Sequence, residues 1–264
     1  MGYAQVIFSP TGGTRRAAEI ITSEWSNSVE TIDLSAPAGD YSKCRFAPED
    51  VVLIGLPSYG GRVPAVAAER LSRLRGNSAK CVLLCVYGNR AYEDTMAEMA
   101  DMAKNCGFTV VAAVSAVAEH SIMHQFASGR PDEKDIQELR SYAKIILDKM
   151  NAGITGDALQ VPGNRPYKKA GGAGLVPKAT KDCTNCGLCA EQCPVQAIDK
   201  KNIKKADAGK CISCMRCVVK CPNFARKVNG GMVAVASLAL KGVPSGRIVN
   251  CLYDAEIHGI RGGV

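Results

Sequence analysis

The sequence is poor in the features that direct a chain into a membrane, out of the cell or onto nucleic acid. Its longest uncharged apolar stretch, Val228 to Leu240, is interrupted by Gly230 and Gly231 and stops at Lys241, short of the roughly 20 residues that cross a bilayer. Tyr3 to Phe8 runs directly into Ser-Pro-Thr-Gly-Gly, so no secretory leader is read there and a cytoplasmic location is expected. Aromatic residues are 5% of the chain and do not interleave with the basic ones, which excludes nucleic acid as the expected partner. Neither a Gly-Lys-Ser/Thr phosphate loop nor a G-x-G-x-x-G dinucleotide turn is present, so nothing supports nicotinamide binding.

What the chain has in excess is cysteine, 13 in 264 residues. In a reducing compartment these are metal ligands or buried apolar residues rather than a disulfide frame. Eight fall between Cys183 and Cys221, while Cys44, Cys81, Cys85, Cys106 and Cys251 are scattered. Charge is divided at the same place: residues 1–150 carry a net −2 and residues 151–264 a net +10. The length suits one mid-sized domain with a smaller one, and the 47% apolar content suits a buried core.

Residues 1–150 alternate short Val-, Ile- and Leu-rich runs (4–8, 29–34, 51–56, 80–86 and 108–117) with helical stretches (14–25, 64–74, 92–106 and 133–150). Such runs are strands covered on both faces. Five of them with helical crossovers predict a doubly wound parallel sheet whose ligand sits beyond the carboxyl ends of the strands. Residues 151–179 hold six glycines, three prolines and one acid. They read equally as a solvated tether and as a strap packed through Ile154, Leu159, Val161 and Tyr167. Residues 229–264 read as a tail with a short helix packed on one domain.

Cys183-x2-Cys186-x2-Cys189-x3-Cys193-Pro194 recurs as Cys211-x2-Cys214-x2-Cys217-x3-Cys221-Pro222, a repeat of 28 residues. Three thiols at spacings of two residues can face one centre from a tight loop, and zinc sites do not need that arrangement. The run has the form of the bacterial ferredoxin motif, whose fourth cysteine serves the other cluster. It assigns Cys183, Cys186, Cys189 and Cys221 to one 4Fe-4S cluster and Cys211, Cys214, Cys217 and Cys193 to a second, in a small α+β two-cluster ferredoxin domain over 180–228. Val195, Ile198, Ile212 and Val218 supply apolar walls. With two oxidised clusters of about −2 each, residues 151–264 stay basic at about +6, which steers an acidic redox protein toward them; a merely solvated lysine turn at 200–205 is the alternative.

Three loops occupy the sheet's carboxyl edge. Ser9-Pro10-Thr11-Gly12-Gly13-Thr14 opens a helix and suits a phosphate, with backbone N–H groups and hydroxyls as donors. Pro57-Ser58-Tyr59-Gly60-Gly61-Arg62 and Tyr87-Gly88-Asn89-Arg90-Ala91-Tyr92 offer rings beside glycines that admit a flat ligand. Together they describe a flavin mononucleotide site. In these loops, with Arg130-Pro131-Asp132 following in order, the chain resembles flavodoxin, and with the cysteine repeat it is similar to flavodoxin/ferredoxin fusions. The resemblance implies a flavodoxin-like fold, FMN on the first half, two 4Fe-4S clusters on the second, and a glycine peptide at Gly60 or Gly61 that turns over with redox state. Residues 1–150 are near neutral, unlike the acidic long-chain flavodoxins.

The resulting expectation is electron transfer between the clusters and FMN, coupling one-electron and two-electron partners. The alternatives are a flavin-dependent reductase with a small organic substrate between Tyr59, Arg90 and His124, and a cluster-binding scaffold with an empty first domain. His120 and His124 read as packing residues rather than metal ligands. Arg62 and Arg90 read as flavin neighbours or surface ion pairs, and Cys81 and Cys85 as core.

Overall fold

The computed structural model describes residues 1–153, 159–172, 174–239, 247–255 and 260–261. The first half alternates β1 (Tyr3–Ile7), α1 (Gly13–Thr22), β2 (Glu30–Asp33), β3 (Val51–Pro57), α2 (Ala65–Leu71), β4 (Lys80–Tyr87), α3 (Thr95–Asn105), β5 (Thr109–Val117) and α4 (Glu133–Asn151). The second half adds β6 (Lys178–Ala179), α5 (Leu188–Glu191), β7 (Ile198–Asp199), β8 (Asn202–Ala206), α6 (Arg216–Val219), β9 (Arg226–Lys227), α7 (Gly230–Ala239), β10 (Cys251–Tyr253) and β11 (Ile260–Arg261). No helix among the described residues is long and apolar enough to cross a membrane.

The five parallel strands stand in the order β2-β1-β3-β4-β5, the flavodoxin-like order of a doubly wound sheet. Side chains alternate between two cores. In β4, Cys81, Leu83 and Cys85 face the core under α2 and α3, while Val82, Leu84 and Val86 face the one under α1 and α4. Burial pushes both thiols up, as it does for cysteines that serve as small apolar side chains. The α1 helix turns Ala17, Ala18 and Ile21 inward, and the Trp25 indole beyond it donates to the Ala143 carbonyl of α4 at 3.0 Å.

The C-terminal segment does more than add a helix. β10 pairs antiparallel with β5, and β11 with β10, so the parallel core gains two edge strands. A polar network fastens them. Asn250, fully buried, donates to Asp135 Oδ1 at 2.9 Å and to Glu138 Oε2 at 2.8 Å and accepts from Val117 N–H at 2.9 Å. Arg130 Nε donates to Asp135 Oδ2 at 2.8 Å and its Nη1 to the Ile248 carbonyl at 2.8 Å. Arg247 bonds both oxygens of Asp132, the residue that caps α4.

Residues 159–168 run along α3 as a strap. Leu159 and Val161 pack on the core; Ile154 lies outside the described residues. Asp94 accepts from Asn164 N–H at 2.8 Å and Lys168 N–H at 2.7 Å, and Asp101 accepts from Arg165 Nε and Nη2 at 2.7 Å each. Arg62 lies under the strap: its Nε and Nη2 bond Glu98 at 2.8 Å each, Nη1 reaches the Lys168 carbonyl, and the guanidinium stacks 4.9 Å from the Tyr167 ring centre.

The hydrogen bonds from Arg247 hold Asp132 well below the usual carboxylate range. Burial raises Asp135, but its bonds from Arg130, Asp132 N–H and Asn250 outweigh that and lower it. Carboxylates depressed in the folded state stabilise above their unfolded pKa and cease to as pH falls through the folded value. Stability should therefore be level near neutrality and decline below about pH 4. Asp135→Ala, which strands a buried cation, should cost about 3–5 kcal/mol in chemical denaturation; a loss below about 1 kcal/mol would remove the network from this role.

Candidate functional site

The carboxyl ends of β1, β3, β4 and β5 open into a cavity of about 500 Å³. Ser9, Thr11, Gly13 and Thr14 line it from the first loop, Pro57, Ser58, Tyr59, Gly60 and Gly61 from the second, and Gly88 and Arg90 from the third. At the first loop Gly12, with φ of +101°, starts α1 in the left-handed region, where a side chain is strained. Arg15 N–H goes to Ser9 Oγ at 2.9 Å and Arg16 N–H to the Gly12 carbonyl at 2.9 Å. Among the described residues no protein acceptor meets the N–H groups of Thr11, Gly12, Gly13 and Thr14. Four unspent donors at a helix start beside a cavity fit an anionic phosphate.

Tyr59 and Arg62 bond each other's backbone around Gly60 and Gly61, both at positive φ, as in the primed two-residue turn. A Cβ on Gly61 would meet Glu93 Oε2 at 2.0 Å, so the turn is closed against the third loop. Gly88 is equally constrained, since a Cβ there would lie 2.7 Å from His120 Cδ2. His120 lines the cavity from the loop after β5, and its Nδ1 accepts from Ile122 N–H at 3.2 Å and Met123 N–H at 3.1 Å. That fixes its proton on Nε2. Burial, and then His124, lower its pKa, so the ring is neutral at pH 7.

Gly12, Asn89 and Tyr92 do not line the cavity. Gly12 serves the start of the helix, and Asn89 holds a turn at φ of +62°. The Tyr92 ring packs edge-on against Tyr87 at 5.1 Å and its hydroxyl bonds that of Tyr253 at 2.7 Å. Arg62 is spent on Glu98 and the strap, whereas Arg90 pairs with Glu93 and keeps a place at the rim. The 118–131 loop is not helical, so His120 and His124 share no helix face; His124 Nδ1 bonds Glu119 at 2.6 Å on the surface. Reasoning from the three loops missed the further walls from Ile122, Met123, Phe126, Leu175 and Ala236, because the loop after β5, the segment before β6 and α7 carry no motif.

The cysteines surround two smaller cavities. Cys183, Cys186, Cys189 and Cys221 line one, and Cys193, Cys211, Cys214 and Cys217 line the other. The backbone repeats with the sequence: positive φ recurs at Asn185 and Ser213, at Gly187 and Met215, and at Gln196 and Phe224. Cys193 Sγ accepts from Ala197 N–H at 3.3 Å and Cys221 Sγ from Ala225 N–H at 3.2 Å. Among the described residues no three His, Cys, Asp or Glu side chains converge as a single ion requires. Four thiols ringing a cavity instead fit a polynuclear cluster, larger than an ion with sulfur at about 2.3 Å.

The second cysteine cavity adjoins the large one. Ile212 lines both, and Ser213 beside it lines the large cavity. Tyr59 lines the large cavity; burial and then the Cys214 thiol raise its phenol well above the ordinary value. Buried Arg70 of α2 secures the contact, donating to the Leu34 carbonyl and, across the interface, to the Pro194 carbonyl, at 2.6 Å each.

Residues 182–225 match a family model described as a 4Fe-4S dicluster domain. No curated protein matches the chain. Among solved structures, a flavodoxin from Streptococcus pneumoniae TIGR4 is similar at 19% identity over 56% of this chain and 99% of its own, with a TM-score of 0.40. Flavodoxin 1 from Bacillus cereus is similar at 13% identity over 56% and 98%, TM-score 0.40. An azoreductase from Bacillus anthracis str. Sterne is similar at 14% identity over 56% and 100%, TM-score 0.39. The strand order of the sheet establishes the flavodoxin-like fold. An iron–sulfur domain on the same chain as that fold fits electron transfer involving flavin and clusters.

Arg70→Met leaves two buried carbonyls without a donor, at about 1–3 kcal/mol each. Thermal unfolding should show the loss, and limited proteolysis should release the 182–225 region early. Unchanged stability and digestion would mean that Arg70 does not secure the interface.

Proposed function

We propose that this fusion of a flavodoxin-like domain with a ferredoxin-type domain carries single electrons through two 4Fe-4S clusters to FMN in the large cavity. The observation that carries this reading is Ile212, a wall of both the FMN cavity and the cavity of the second cysteine set. When bound, the clusters supply one-electron steps and FMN links them to two-electron chemistry.

The residues have separable tasks. Cys183, Cys186, Cys189 and Cys221 would hold the outer cluster, Cys186 being exposed. Cys193, Cys211, Cys214 and Cys217 would hold the inner one, where Cys193 and Cys214 are buried. Thr11, Gly13 and Thr14 bind the phosphate through backbone N–H groups, Gly12 shapes the turn that presents them, and Ser9 fixes that loop through Arg15 N–H. Tyr59, Ser58, Gly60, Gly61 and Gly88 form the walls for the ring. Leu175, Met123 and Phe126 exclude water, and His120 holds a proton on Nε2 at the cavity wall. An acidic redox protein is the partner in this reading, because the cluster-bearing half stays basic. A reductase acting on a small apolar substrate is the second reading, favoured by the apolar wall of Ile122, Met123 and Phe126 beyond the three loops.

Anaerobic purification with assay of iron, sulfide and released flavin tests both cofactors. Eight iron atoms and one FMN per chain are expected; four iron atoms would break one cysteine set, and zinc in their place would remove the redox reading. Gly12→Ala strains a left-handed residue by about 1–3 kcal/mol. It should weaken FMN binding about tenfold or more with iron unchanged, and equal FMN affinity would remove the loop from phosphate binding.

A further inference from the structure

The halves of the 28-residue repeat that builds the two cysteine cavities differ at many positions, and two of the differences, within the cysteine runs and the strands that follow, put a cation where the other half has hydrocarbon. Arg216 opens α6 where its counterpart Leu188 opens α5, and Arg226 opens β9 where Ile198 opens β7. Arg226 lines the cavity of Cys183, Cys186, Cys189 and Cys221; Arg216 lines that of Cys193, Cys211, Cys214 and Cys217. Two non-equivalent replacements thus give each cavity its own arginine.

Both are interior residues, Arg216 at 8% exposure and Arg226 at 2%. Neither forms an ion pair with a carboxylate among the described residues. Both have an Nε–H that is buried and unpartnered there. Other donors are engaged: Arg216 Nη2 with Gln192 Oε1 at 2.9 Å, and Arg226 Nη1 with the Pro177 carbonyl at 3.2 Å. Arg226 Nη2 bonds the Ile203 carbonyl and approaches Cys189 Sγ at 3.6 Å. A guanidinium withdrawn from water without a carboxylate, and with an Nε–H left unpartnered, favours an added anion, and the anions that each cavity can supply are thiolates and the group they bind.

We infer that Arg216 and Arg226 set the reduction potentials of the two clusters, each giving its unpaired Nε–H to the cluster in its own cavity. The inference rests on the 4Fe-4S reading above. Reduction adds one electron, taken from an external reductant, with no bond made or broken. A buried cation and an N–H···S hydrogen bond favour the more negative reduced form and so raise the potential. The charge reaches the cluster without ligating iron, which makes both arginines positioning residues.

The test uses the full chain, purified anaerobically, as Arg216→Met, Arg216→Lys, Arg226→Met and Arg226→Lys. Iron and sulfide are assayed, and a reductive titration is followed by electron paramagnetic resonance. Each Met variant should retain its iron and move most the midpoint of the cluster in its own cavity, a different one for each, to more negative potential. The expected change is at least tenfold in the reduction equilibrium, about 59 mV for a one-electron couple. Each Lys variant should move its midpoint less than half as far as the corresponding Met variant. Unmoved midpoints at full iron content would overturn the inference, as would Lys variants that lose as much as Met, which would mean shape rather than charge. Arg226 also fastens two carbonyls; if its Met variant does not hold iron, the Arg216 pair decides by the same criteria. Native protein without eight iron atoms would instead overturn the underlying reading, before any substitution is made.

Discussion

The arrangement depends on a wall one residue thick. Ile212 lies between the second cysteine and the third of the inner set, and its side chain closes the large cavity on one side and the inner cysteine cavity on the other. A spacing of two residues leaves the loop no length to loosen, so whatever the cysteines hold is held against the cavity as well. Arg70 ties the same body to α2 through the Pro194 carbonyl, the residue after Cys193. Both ends of the inner set are therefore fixed to the doubly wound domain.

The two cysteine sets differ although one repeat generates them. The outer set presents Cys186 to solvent and buries Cys189 alone, with Phe224 76% exposed nearby in sequence to Cys221, whereas the inner set exposes none of its cysteines and buries Cys193 and Cys214. Solvent access and local charge are the protein's means of separating the potentials of otherwise equal centres. The repeat makes two equal containers; the residues that depart from it make them unequal.

Much of this was legible in the sequence because the signals are local. Buried parallel strands announce themselves as Val- and Ile-rich runs, and the cysteine spacing is a covalent fact. The helix-opening glycine loop places donors without reference to anything distant. The two edge strands were not legible: β10 is three residues and β11 two, and their pairing depends on a network through Asn250 and Asp135 that spans 115 residues. The strap was ambiguous because much of its hold is polar, through Asp94 and Asp101, and its two residues on the core, Leu159 and Val161, are too few to make an apolar period. Arg62 and Tyr92 stood in the right loops but turned away, one captured by Glu98 and the other by Tyr87 and Tyr253. Position in a loop does not settle a side chain's direction when a stronger partner lies behind it.

Such a shared wall has a kinetic signature. If the inner cysteine cavity delivers electrons across Ile212, their arrival at the flavin is an event within one molecule. Rapid mixing of the anaerobic holoprotein with a limiting one-electron reductant, followed at flavin wavelengths over a tenfold range of protein concentration, measures this directly. The account predicts a first-order phase for cluster-to-flavin transfer whose rate does not change with protein concentration. A rate that rises in proportion to concentration, or clusters that reduce without any flavin change, would contradict it.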